Sequence, residues 1–141
     1  MIYGGIHMKK FILPWLYHGP LWILFMIYGL SLDNSSFGAI TLVAVPYVII
    51  LFIVHPMLSI SCAKKMHALS GGKILFSFYQ GIVFSIVHCC IVYPQAVLRA
   101  FSSFSQFLSF TGVLLLSFLW GFAFPFGYHL YEKRTKNKAK E

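Results

Sequence analysis

The charged residues of this chain leave four gaps, and the gaps limit what it can fold into. Lys9 and Lys10 stand near the start, and Lys64, Lys65 and Lys73 share one central stretch. Lys133, Arg134, Lys136, Lys138 and Lys140 crowd the end with Glu132 and Glu141, and only Asp33 and Arg99 lie elsewhere. Residues 11–32, 38–62, 74–98 and 107–131 carry no Asp, Glu, Lys or Arg over 22, 25, 25 and 25 residues. A bilayer core of ~30 Å needs ~20 helical residues at ~1.5 Å each. Each gap is therefore long enough to span, with some tilt. Inside lipid every backbone N–H and C=O must be bonded within its own segment, so helix is the expected state. A barrel would need short alternating strands, and these long continuous runs do not alternate.

Composition removes the soluble alternative. Only 10% of the 141 residues are charged and 59% are apolar. A soluble domain is about a quarter charged and needs that polar surface to cover itself. The expected fold is an all-α integral membrane protein with four transmembrane helices in an up-down-up-down bundle. Residues 1–131 form one membrane domain, and residues 132–141 a basic, solvated tail. The connections are short, which favours antiparallel neighbours.

Orientation follows from where the cations fall. Ten basic residues lie at the two ends and in the 63–73 loop; Arg99 alone lies on the other side. Both termini and the central loop are expected in the cytoplasm of a bacterial inner (plasma) membrane, with the 33–37 and 99–106 loops outside. Lys9, Lys10, Lys64, Lys65, Lys73, Lys133 and Arg134 are then topology determinants and contacts for anionic lipid headgroups. The same positive balance does not point to nucleic acid, since the terminal basic run has no aromatic side chain for base stacking. "MKKFILPWLY" from Met8 opens like a secretory signal, and Met8 could itself be the start. No small-x-small cleavage site follows, so a retained first helix is expected.

Proline occurs in every gap: Pro14 and Pro20, Pro46 and Pro56, Pro94, and Pro125. Each removes one backbone donor and bends its helix. The third gap has the clearest face. Ser77, Gly81, Ser85 and His88 fall on one side at helical spacing, and Ser117 and Gly121 repeat the small-residue step in the fourth. These six residues are the expected helix-contact face.

Each gap also holds one histidine, and three of them, His18, His55 and His88, lie within roughly 11 Å of one depth. An ionisable group inside a span is a functional-site hypothesis. Structurally, each would be a neutral imidazole bonded to a proline-freed carbonyl or to a serine on the next helix. Alternatively, histidines from different helices could ligate a b-type haem. A proton or substrate path lacks the carboxylates such paths use. No catalytic residues and no protein metal site are expected. The spans hold no carboxylate pair, and a thiol dyad is disfavoured because His88 and Cys89 point ~100° apart on a helix. Cys62, Cys89 and Cys90 include no C-x-x-C and read as small apolar side chains. The expectation is a non-catalytic membrane protein working by contact with lipid and with another membrane protein or itself, as an immunity- or exclusion-type factor or an accessory subunit. A haem electron carrier and a small channel or transporter are the alternatives.

Overall fold

A computed structural model describes residues 3–31, 37–67, 72–92 and 94–139. Six helices account for nearly all of them: α1 (Tyr3–Ser31), α2 (Phe37–Ile49), α3 (His55–His67), α4 (Lys73–Val92), α5 (Pro94–Arg99) and α6 (Phe104–Lys138). A π-helical turn, Ile50–Val54, joins α2 to α3. There is no strand among the described residues. Four segments are long and apolar enough to cross a membrane: Phe11–Tyr28, Leu42–Met66, Lys73–Cys90 and Phe104–Lys138. Most of the connection at 33–37 and residues 68–71 of the central loop lie outside the described residues.

In the third uncharged run, α4 covers Lys73–Val92 and α5 covers Pro94–Arg99. Two features add to the sequence expectation. The described residues of the basic tail from Lys133 onward are exposed, as expected of a solvated end, and the tail does not begin a new element. It is helical through Lys138, continuous with the fourth span, so α6 is 35 residues long, about 52 Å. The second span is not a single α-helix but α2, a π turn and α3.

That π turn has a local cause. His55 N–H donates to the Ile50 carbonyl, five residues back. The next donor in that register would come from residue 56, which is Pro56 and has none. The Leu51 carbonyl is left without a backbone donor, and Trp120 of α6 fills the place, its Nε1–H donating at 3.2 Å. A π turn holds one residue more than an α turn, so residues after it slip back by ~100°. Tyr47 and His55 would lie ~80° apart on an unbroken α-helix, and the slip brings them close to one line.

α4 packs along α6 and α1, while α3 packs against α6 and α1. The chain directions follow from end-to-end contacts. Lys73 at the start of α4 pairs with Glu132 near the end of α6 at 2.7 Å. The Tyr28 hydroxyl near the end of α1 donates to the Leu42 carbonyl early in α2. Both pairs of helices therefore run antiparallel. Two glycines set the closest approach. A Cβ on Gly81 would stand 3.0 Å from the Phe118 ring and its carbonyl oxygen; one on Gly121 would stand 2.7 Å from Phe84 Cβ.

The core has two parts. Trp22, Phe25, Val83, Phe84 and Val87 fill the middle. Cys62, Ala63, Met66 and Phe76 fill the end that carries the lysines. Large apolar side chains such as Leu24, Met57, Leu75 and Leu116 stand exposed on the outside, the pattern expected where lipid is the solvent.

Candidate functional site: the buried histidine network

The interior that the four spans enclose is polar at two places, and Phe84 lies between them. The first cluster joins α1, α3 and α4. Gln80 Nε2 donates to His18 Nε2 at 3.2 Å and to the Ser59 carbonyl at 3.3 Å. His55 Nε2 meets the Ser59 hydroxyl, one turn on, at 3.3 Å. His18, His55, Ser59 and Gln80 are all fully buried. The bond pattern fixes the protons. A carbonyl only accepts, so the amide nitrogen of Gln80 must face Ser59, and its second hydrogen then points at His18 Nε2. His18 therefore carries its own proton on Nδ1. That atom, with His55 Nδ1, Trp22 Nε1 and Gln80 Oε1, is buried with no hydrogen-bond partner among the described residues.

The second cluster joins α2, α4 and α6. The Ser117 hydroxyl donates to the Val113 carbonyl at 2.8 Å. Its single hydrogen is thereby used, so it accepts from His88 Nδ1–H at 2.9 Å. A neutral ring then has its lone pair on Nε2, where the Tyr47 hydroxyl donates at 3.0 Å. The chain runs one way: Tyr47 to His88 to Ser117 to Val113. Ser85 donates beside it to the Leu114 carbonyl at 3.2 Å.

Phe84 separates the two. Its ring centroid is 3.9 Å from that of His55 and 5.3 Å from that of His88. No hydrogen bond crosses it among the described residues. A relay needs donor–acceptor contacts in series, so the conformation described here holds two networks rather than one path.

The residues singled out in the sequence fall as follows. Ser77, Gly81, Ser85 and His88 are buried on α4, and Ser117 and Gly121 are buried on α6. Gly81, Ser85 and Gly121 meet the facing helix of the α4–α6 pair, and His88 bonds Ser117 of α6 and Tyr47 of α2, all inside one chain. Ser77 donates to the Lys73 carbonyl within α4. His88 bonds a serine on the next helix; the carbonyl stranded by Pro56 goes to Trp120 rather than to any histidine. Cys62 and Cys89 are buried, while Cys90 faces outward. Lys65 lies 5.4 Å from the centre of the Tyr17 ring and Lys64 5.9 Å from that of Tyr128. Lys133 and Arg134 are exposed on α6, and Lys9 and Lys10 lie on the first turns of α1.

A haem held between these helices would need two histidines set apart and facing one another. Two axial imidazoles must reach the iron from opposite faces of the macrocycle. His18 and His55 are instead tilted against each other with centroids 4.9 Å apart. His88 is engaged at both ring nitrogens and shielded from His55 by Phe84. Nor does the His18 proton on Nδ1 suit a metal there, because moving it to Nε2 would oppose the Gln80 amide.

Tyr47, Ser59, Gln80, Phe84 and Trp120 do most of the positioning and were not among the candidate residues. Ser59 lies four residues after His55, and Trp120 answers Pro56; both signals are in the sequence, but only the packing phase connects them. No family model, curated protein or solved structure matches the chain.

Proposed function

We propose that this chain is a membrane protein without catalysis of its own that works by contact with a second membrane protein. The build suits an immunity- or exclusion-type factor or an accessory subunit of a larger membrane machine. It would sit in a bacterial inner membrane with both termini in the cytoplasm, where the ten basic residues belong by charge.

The observation that carries this reading is the extension of α6. The helix does not stop where its apolar stretch stops; it runs on through Lys133, Arg134, Lys136 and Lys138. Its root is fixed, because Glu132 holds Lys73 of α4 with one oxygen and Lys136 with the other, each at 2.7 Å. An arm anchored in this way presents its cations in a set geometry, which favours an acidic protein surface over lipid headgroups alone. A channel has weaker support, since Phe84 interrupts the polar interior.

A photo-crosslinking residue placed at Lys136 in living cells tests this. One dominant protein adduct is expected, and it should fade when Lys133→Glu and Arg134→Glu are combined. An adduct of twice the chain's own mass would identify the partner as a second copy. Adducts to lipid only, at normal protein levels, would reject the reading.

A further inference from the structure

One side of α6 is turned away from the rest of the bundle. Gly112, Leu116, Leu119, Ala123, Gly127 and Leu130 recur at steps of three or four residues, so they form one stripe, and all six are exposed. The stripe does not end with the apolar stretch. Arg134 and Lys138 continue it along the arm and are exposed as well. A stripe of this spacing is what a second helix meets when it lies at a shallow angle, and here it runs for about 39 Å from residue 112 to residue 138. On the strength of the contact reading above, we propose that this face seats one transmembrane helix of a different protein, with Asp or Glu just beyond its apolar stretch on the side of the arm.

Three observations define that occupant. The first is the relief of the stripe. Gly81 and Gly121 are matched to rings of the facing helix, but a Cβ on Gly112 or Gly127 would meet nothing within 4 Å, so packing inside this chain requires neither. Glycine is a poor helix former, whereas on an outer face it lets a second backbone come close. The second is the cleft beside the stripe. Leu116 forms its rim, and Leu51, Val113 and Trp120 wall a space of about 280 Å³ between the second and fourth spans. Anchor side chains of an interface enter apolar pockets of this kind. The third is charge. A second copy in the same membrane orientation, joined through this stripe, would set two arms of Lys133, Arg134, Lys136 and Lys138 side by side. Among the described residues the arm's one carboxylate, Glu132, already holds Lys73 and Lys136. Like charges so placed repel, whereas carboxylates on another protein complement the arm and fix the register.

The test places p-benzoylphenylalanine at Leu119 of the full chain, in living cells, beside the same residue at Lys136. The Leu119 adduct should contain one other protein. Mass spectrometry should map the bond to an uncharged stretch of about 20 residues with Asp or Glu in the turns that follow it. Gly127→Leu fills the stripe where there is open space, and should cut that adduct roughly tenfold with normal folded yield and thermal unfolding. Arg134→Glu combined with Lys138→Glu should lower it about threefold or more. An adduct to lipid alone at Leu119, with the Lys136 protein adduct intact, would overturn the docked helix and leave contact through the arm standing. Lipid alone at both positions would reject both readings. A doubled chain mass, a bond mapped to a span without flanking carboxylates, or an adduct that either set of substitutions leaves unchanged would also overturn the proposal.

Discussion

Gln80 sets the protonation pattern of the interior. It is the residue through which α4 reads both α1 and α3, since its two amide hydrogens go to His18 and to the Ser59 carbonyl. Polar contacts in membranes average ~0.6 kcal/mol, because the alternative state in lipid also finds partners. Two lost contacts therefore amount to about 1 kcal/mol, and Gln80→Leu should lower stability by that order. Gln80→Glu should be worse. As an acid it offers one hydrogen instead of two, and as an anion it offers none and adds a buried charge. Unfolding by titration with a denaturing detergent measures both. If Gln80→Glu matched the native chain, the amide would not be holding the two acceptors together, and the assigned position of the His18 proton would fall with it.

At the scale of elements, the α4–α6 contact depends on two missing methyl groups. Gly121→Ala would drive a Cβ to 2.7 Å from Phe84 Cβ, a stiff part of a side chain wedged between two histidines. Overpacking of this kind costs ~1–3 kcal/mol. Gly112→Ala on the same helix meets nothing within 4 Å and should be neutral or slightly stabilising. Folded yield and melting temperature of the two variants, made side by side, check this; similar losses in both would mean that helix propensity, not close approach, governs α6. The small-residue spacing of Gly81–Ser85 and Ser117–Gly121 was legible in the sequence, because a four-residue step marks one helix face. Which ring each glycine receives was not, since that depends on how the two helices slide and rotate against each other. The breaks were partly legible. Pro56 announces a stranded carbonyl, but an α-helical count strands Phe52 rather than Leu51, and the π turn moves the defect by one residue. The same turn brings Tyr47 into line with His55, so a regular helical wheel would have placed Tyr47 away from the network. The histidines stood out by type, whereas their donors and acceptors are ordinary residues from other helices.

For the whole molecule, the lysines near the α3–α4 connection have a double role. They lie within the ten-to-one charge asymmetry that would orient the chain, and they also brace the bundle through Tyr17, Tyr128 and Glu132. Reporters fused after Ala68 and at the C-terminus should be cytoplasmic, and reporters after Asp33 and after Ser103 external. Changing Lys64, Lys65 and Lys73 together to Gln should raise the misoriented fraction, because the remaining basic residues at the two ends then act without the central anchor. An external C-terminus in the native chain would overturn the orientation. The uncharged gaps made this level the most readable of the three: desolvation of a charge is so costly that the positions of a few lysines bound every span, whatever the packing inside. The length of α6 was the exception, since nothing in a run of Lys, Arg and Asn says that a helix has already been nucleated upstream.

The π turn can also be described as an accounting of lengths between genes and faces. A turn with one extra residue is what remains when a single codon is inserted into a helix and the rest of the fold absorbs it. The second span therefore carries two reading frames for its side chains, one for Tyr47 and another for His55 and Ser59, spliced at Ile50–Val54. Removal of one residue from that segment would shorten the span by little and leave its hydropathy intact. It would, however, rotate everything from His55 onward away from Gln80, or Tyr47 away from His88. For this helix, then, drift by substitution and drift by deletion are not equivalent: the first alters a contact, while the second exchanges an entire face.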